Sequence, residues 1–196
     1  RKANVATTFD FGFALGPRIN AAGRLADMTL GIECLLTDDT ARAAELAATL
    51  DGINRERRDI ESGMRDQAML MAESLFQEDE EPPPAISVFD PDFHEGVVGI
   101  VASRIKDKLH RPTFVFAASS APGKEHELKG SGRSIPGFHL RDALDLVAKR
   151  HPGVLLRFGG HAMAAGCTVP EDRFEEFEQA LAQVAREWLD AATLTR

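Results

Sequence analysis

Hydrophobic positions change their spacing twice along the chain. Phe9, Phe11, Phe13 and Leu15 alternate with other residues, a period of two that predicts a short strand or extended segment. Gly16-Pro17 then punctuates a turn. From Thr40 to about Gln77, Leu46, Leu50, Ile53, Ile60, Met64, Met71 and Leu75 fall on a four-three spacing that Arg57 and Gln67 or Ala68 interrupt. This predicts one long helix, capped by Asp38 and Asp39, a rod of about 57 Å. A helix of that length reads as a connection between two domains. An oligomerisation coiled coil is the alternative, and it would keep its heptads more cleanly. The acidic run and three prolines of Gln77–Pro84 stop the helix and predict an exposed linker and a domain boundary.

Beyond the prolines the pattern becomes α/β. Strands are predicted at Ala85–Phe89, Thr113–Ala117, Leu128–Arg133 and Cys167–Val169, and helices at Gly96–Leu109 and Leu140–Arg150, with a closing helix from Pro170 to about Ala191. The predicted fold class is α/β, a mixed β-sheet flanked by helices and preceded by a long interdomain helix.

Composition narrows the class. With 43% hydrophobic and 28% charged residues the chain falls among soluble globular proteins. No apolar run approaches the roughly 20 residues of a membrane helix. The chain begins at Arg1 with neither an initiator Met nor a signal-peptide pattern, so a piece of a longer polypeptide is expected. Cys34 and Cys167 belong to no metal spacing and read as reduced thiols of a cytosolic protein. The net charge of −8 argues against non-specific DNA binding by the whole surface. Residues 94–161 differ: they hold eleven Lys and Arg against six Asp and Glu, and all six histidines. An acidic protein with one basic, histidine-rich and glycine-rich segment is expected to carry a localised anion site.

Three motifs in that segment suit a phosphate. Asp92-Phe93-His94-Glu95-Gly96 lies where a helix starts, so its ligand would meet unpaired N–H groups. Lys129-Gly-Ser-Gly-Arg-Ser134 gathers glycines, hydroxyls and cations, and Ser131, Arg133 and Ser134 could together receive a phosphate. Phe158-Gly-Gly-His-Ala-Met-Ala-Ala-Gly166 predicts a tight turn in which Gly159 and Gly160 bare the backbone beside His161. Arg18 and Arg24 could offer two guanidinium forks to a backbone, although composition alone reads them as surface residues around a helix start. Phe93, Phe138 and Phe158 are candidates to stack on bases or to fill the core. Metal-ligand motifs are absent from the sequence, as are a nucleophile elbow and a P-loop.

Four segments, Gly16–Arg24, His94–Ile105, Lys129–Ser134 and Phe158–Gly166, together resemble the RecJ family, bacterial single-strand-specific DNA exonucleases of the DHH phosphoesterase superfamily. The resemblance runs in order over nearly the whole chain. It implies three stretches: residues 1–37 end a catalytic-domain region, 38–81 form the linking helix, and 82–196 form a DHH-associated substrate-binding domain. It implies 5′→3′ hydrolysis of single-stranded DNA with Mn²⁺ or Mg²⁺, in recombination and repair, in the cytoplasm. It also implies a DHH catalytic domain in cis, a single-strand-binding protein as partner, and no membrane. The family's metal-binding Asp-His-His motif does not occur here, so no metal ligand is expected in this chain and the fragment alone is expected to be inactive. Carried over, the resemblance puts Arg18 and Arg24 near the strand, and Ser131 and Arg133 on the 5′ phosphate. It puts Gly159 and Gly160 beside that phosphate, His161 toward the metal site, and His94 at a matching position. Other superfamily members act on oligoribonucleotides or cyclic dinucleotides, and a purely nucleic-acid-binding domain is a further alternative.

Overall fold

A computed structural model describes residues 5–76 and 80–189. The chain divides into two units, Arg1–Ser62 and Gly63–Arg196.

In the first unit the alternating phenylalanines are helical, which corrects the predicted strand. Thr7 and Asp10 form a capping box: the Asp10 carboxylate accepts the Thr7 N–H at 3.0 Å, and Thr7 Oγ1 accepts the Asp10 N–H at 3.3 Å. The box starts α1 (Thr8–Asp10), which continues through a π-helical turn (Phe11–Leu15) into α2 (Gly16–Leu25). Phe9 and Phe13 are i, i+4 neighbours whose rings stack at 4.6 Å. Gly16-Pro17 is not a turn either. Pro17 sits in the first turn of α2, directly after the π-helical turn. The helix α3 (Thr29–Leu36) has no counterpart among the predicted elements.

The predicted long helix is present as α4 (Thr40–Glu73). Asp39 starts it, its carboxylate accepting the N–H groups of Ala41 and Arg42 at 2.8 and 3.2 Å. The division between the units falls inside α4, ahead of the proline-rich stretch, of which Gln77–Asp79 lie outside the described residues. Its buried line differs from the large apolar residues of the sequence pattern. Leu46, Leu50 and Asn54 are buried in the first unit, and Met64, Ala68 and Ala72 in the second, whereas Leu75 is exposed. A helix of 3.6 residues per turn drifts from a strict heptad, and small alanines take over where the large residues have rotated away.

The second unit is a five-stranded sheet in the order β1-β2-β3-β5-β4. Its strands are β1 (Ile86–Phe89), β2 (Thr113–Ala118), β3 (Glu127–Arg133), β4 (Arg157–Gly160) and β5 (Ala164–Pro170). β1 and β2 are parallel, joined by α5 (Val98–Leu109); the remaining pairs are antiparallel, so the sheet is mixed. α6 (Leu140–Arg150) and α7 (Phe174–Trp188) cover the face that carries Phe114, Phe116, Leu128, Ala165, Cys167 and Val169, forming the main core. Phe177 of α7 meets the edges of Phe114 and Phe116 at 5.5 and 5.2 Å. α5 packs on the opposite face, against β2 and β3.

Candidate functional site

Strand alternation sorts the Lys129–Ser134 motif onto two faces. Leu128, Gly130 and Gly132 face the core. A β-carbon at Gly130 would lie 2.3 Å from the Phe116 ring, and one at Gly132 would lie 2.4 Å from the Phe114 ring. These two glycines make room for aromatic packing, so they are not the bare phosphate cradle that composition suggested. Lys129, Ser131 and Arg133 stand on the other face.

That face is arranged in rows by register. Ser131 pairs with Gly166, which pairs in turn with Gly159, so a hydroxyl and two positions without side chains lie abreast across β3, β5 and β4. One row away lie Lys129, Thr168 and Arg157. On the other side Arg133 pairs with Ala164, whose carbonyl accepts the His161 N–H at 2.8 Å. The sheet therefore brings Ser131, Arg133, Gly159 and the His161 turn onto one surface.

The start of α5 forms a wall of this surface. Gly99 lies in its first turn, and a β-carbon there would sit 2.8 Å from the Arg133 guanidinium and 2.9 Å from Ser131 Oγ. No side chain caps the helix, and such a terminus carries partial positive charge and N–H donors directed outward. Arg133 is held in place as well as charged: one guanidinium nitrogen donates to Ser131 Oγ at 3.0 Å and to the Gly132 carbonyl at 2.8 Å. A cation, a hydroxyl and a helix start converging on one point offer donors of the kind that suit an oxyanion.

The glycine-histidine motif is a hairpin between two strands, and Gly159 and Gly160 belong to β4 rather than to the turn. Gly160 is required by the backbone: its φ is 140°, and a β-carbon would lie 2.5 Å from the Ala164 carbonyl oxygen. Gly159 is different, because a β-carbon there would meet nothing within 4 Å. The carbonyls of Ala162 and Met163 accept the N–H groups of Leu140 and Ser134 at 2.9 and 3.0 Å, which sews the hairpin tip to the loop before α6. His161 is exposed at this tip.

Ser134 is not brought to the surface. It is buried, and its hydroxyl donates to the Phe138 carbonyl at 2.6 Å. It shapes the loop that holds the hairpin, and its hydroxyl is spent there. His94 is exposed ahead of α5, and its Nδ1 accepts the Gly96 N–H at 3.0 Å. In the neutral ring this leaves the proton on Nε2 as a donor. Three further histidines serve the fold: His139 caps α6, His151 contacts Glu176 at 3.2 Å, and His110 ends α5 with a φ of 50°. Phe93 and Phe138 are buried, and Phe158 packs on the core, so none of the three offers a free ring face to a base.

Arg18 and Arg24 both lie on α2, in the first unit. The Arg18 guanidinium donates to Asp51 at 2.8 Å and to the Ala14 carbonyl at 2.6 Å, tying α2 to α4. Arg18, and then Arg55, hold the Asp51 carboxyl below its usual range. Arg24 is exposed in the last turn of α2. Burial pushes the Cys167 thiol far up, which makes it an inert core group.

Sequence reasoning counted Lys129 among the cations of its motif without naming it as a site residue, and it missed Arg157. Extending the period of two from Ser131 back to Lys129, and from Gly159 back to Arg157, would have placed both on this face.

A mixed five-stranded sheet with α6 and α7 on one face and α5 on the other defines an α/β domain. The chain belongs to the DHHA1 domain family, whose model matches residues 82–187. The single-stranded-DNA-specific exonuclease RecJ of Dickeya dadantii is 52% identical over 185 residues, 94% of this chain and 31% of that protein. Crystal structures of Thermus thermophilus RecJ with Mg²⁺ and with Mn²⁺ share the fold at a TM-score of 0.78 and 35% identity. They cover 92% of this chain, and 26% and 25% of theirs. The chain thus spans about a third of the length of the curated relatives it matches.

Proposed function

We propose that this chain is the substrate-gripping portion of a RecJ-like exonuclease that degrades single-stranded DNA from its 5′ end. The observation that carries the reading is the Arg133 guanidinium and Ser131 hydroxyl set against the uncapped start of α5. Arg133 supplies charge and forked donors to a terminal phosphate. Ser131 and the helix N–H groups orient it, and Gly159 lets the backbone of the strand approach the sheet. Contacts of this kind fix register without reading sequence, which suits a nuclease indifferent to bases. His94 offers a donor at the same helix start. In this reading residues 1–37 end a catalytic-domain region, 38–81 link, and 82–196 bind substrate. Arg24 lies near the strand path, whereas Arg18 acts through its hold on Asp51.

Among the described residues no three His, Cys, Asp or Glu side chains gather to hold a metal ion. These residues do not fit the divalent metal of the family, and the reading assigns Mn²⁺ or Mg²⁺ to a DHH domain in the same polypeptide. His161, exposed on a sewn-down hairpin, is the group this chain presents to that domain. In the full-length protein His161→Ala is expected to lower kcat more than it raises KM; a change in KM alone would make His161 a positioning residue. The reading further implies action in the cytoplasm in repair and recombination, and single-strand-binding protein as a partner. Among the described residues no helix is long and apolar enough to cross a membrane.

The experiment is a binding titration of this chain with single strands that carry either a 5′ phosphate or a 5′ hydroxyl. Tighter binding of the phosphorylated strand is expected. Equal binding would remove the 5′-end assignment, and a preference for cyclic or linear dinucleotides over longer strands would move the chain to another branch of the superfamily.

A further inference from the structure

The receptor at Ser131 and Arg133 occupies only part of the open sheet face. One row away, Lys129, Thr168 and Arg157 lie abreast, joined by the pairs Lys129–Thr168 and Thr168–Arg157. A hollow of about 420 Å³ opens above them, lined by Lys129, Arg157, Gly166 and Thr168 among others. Three features of this row are unexplained by the fold.

Lys129 is half-buried and makes no ion pair among the described residues. A lysine in that position loses hydration without gaining a counter-charge. Arg157 is largely exposed and, among the described residues, meets only Glu127, at 3.3 Å, a carboxylate that also faces Lys124 at 3.7 Å. Two cations share that one carboxylate and Lys129 adds a third charge, which leaves the row positive. The floor beside Ser131, in its own row next to this one, is bare although nothing inside the protein needs it bare. A β-carbon at Gly159 would meet nothing, and one at Gly166 would meet the Gly130 carbonyl at an ordinary 3.6 Å. Gly160, Gly130 and Gly132 are glycines the fold requires; Gly159 and Gly166 are not.

We infer that Lys129 and Arg157 form a second anion subsite, which takes the next phosphodiester of a strand whose terminal phosphate sits at Ser131 and Arg133. Ser131 and Lys129 lie two residues apart on one strand face, a separation of about 6.8 Å. That matches neighbouring phosphates of an extended single strand, with the sugar lying over Gly166 and Gly159. The inference rests on the function proposed above and adds a second, independent contact to it. The subsite recognises charge on the backbone and takes no account of the base. It makes the domain a reader of strand length as well as of the strand's end.

The test is an amide NMR titration of this chain with two probes, thymidine 5′-monophosphate and 5′-phosphorylated tetrathymidylate. The mononucleotide should perturb amides around Ser131, Gly159 and Gly166. The tetranucleotide should perturb these and also Lys129, Thr168 and Arg157. Lys129→Ala with Arg157→Ala should weaken the tetranucleotide about tenfold, lower the slope of its salt dependence by one to two phosphate contacts, and leave the mononucleotide unchanged. Identical perturbations by the two probes, or equal weakening of both, would overturn the second subsite and leave the first standing. Loss of 5′-phosphate preference in Arg133→Ala alongside no effect of the double variant would likewise remove only this inference. No perturbation by either probe would remove both.

Discussion

Gly99 of α5 and Arg133 of β3 are in such close register that a single added β-carbon on the glycine would come within 2.8 Å of the guanidinium. The helix start and the arginine are therefore placed against each other by the absence of one methyl group. The atoms in the way are the ends of side chains, so a substitution there moves the arginine and spares the backbone.

Gly99→Ala separates folding from binding. Alanine in a helix is favoured over glycine by roughly 0.5–1 kcal/mol, so thermal stability should hold or rise. The displaced Arg133 and Ser131 should weaken a 5′-phosphorylated strand about tenfold, roughly 1.4 kcal/mol. Binding titrations and melting curves on the same variant check both halves. A variant that binds as well as the parent would place the phosphate elsewhere.

The two adjacent glycines of the hairpin should behave as opposites. Gly160→Ala forces a side chain into a backbone at positive φ and should cost about 2 kcal/mol or more in urea unfolding. Gly159→Ala meets no protein atom and should leave the unfolding midpoint within about 0.5 kcal/mol of the parent, while weakening single-strand binding. Equal stability losses at the two positions would contradict the geometry of the hairpin.

Glu178 carries a pH signature. Burial, and then the neighbouring Glu175, push its carboxyl above the usual range. A carboxyl whose folded value is raised favours the protonated state, so it detracts from stability as pH rises through its unfolded value toward the folded one. Glu178→Gln should therefore raise Tm at pH 7, with the gain shrinking as pH falls through the raised folded value and gone below about 4. A gain that is independent of pH would show that the charge is not the cause.

Much of the second unit was legible. Strand β3 and helices α5, α6 and α7 follow from period-two and period-3.6 patterns, each burying one face, whereas β1 and β2 follow from short apolar runs buried on both faces. The first unit was not. Phe9, Phe11 and Phe13 alternate, but the Thr7–Asp10 capping box starts a helix, and most of their rings stay exposed, so no buried face set their period. The site was half legible. Ser131, Arg133 and the glycine-histidine motif stand out by composition. The burial of Ser134, the packing role of Gly130 and Gly132, and the engagement of Arg18 with Asp51 depend on what each meets across the fold. The row of Lys129 and Arg157 depends on the register of β3 against β5, a pairing between segments far apart in sequence that local pattern does not encode.

The central claim is that Arg133 grips a 5′ phosphate. Its most direct test is the affinity ratio between 5′-phosphorylated and 5′-hydroxyl single strands, measured for the parent and for Arg133→Ala. Deleting a forked, charged contact should cost the phosphorylated strand about 1.5–3 kcal/mol and leave the hydroxyl strand nearly unchanged, so that the ratio collapses toward one. An equal loss for both strands, or a ratio that survives the substitution, would contradict the account.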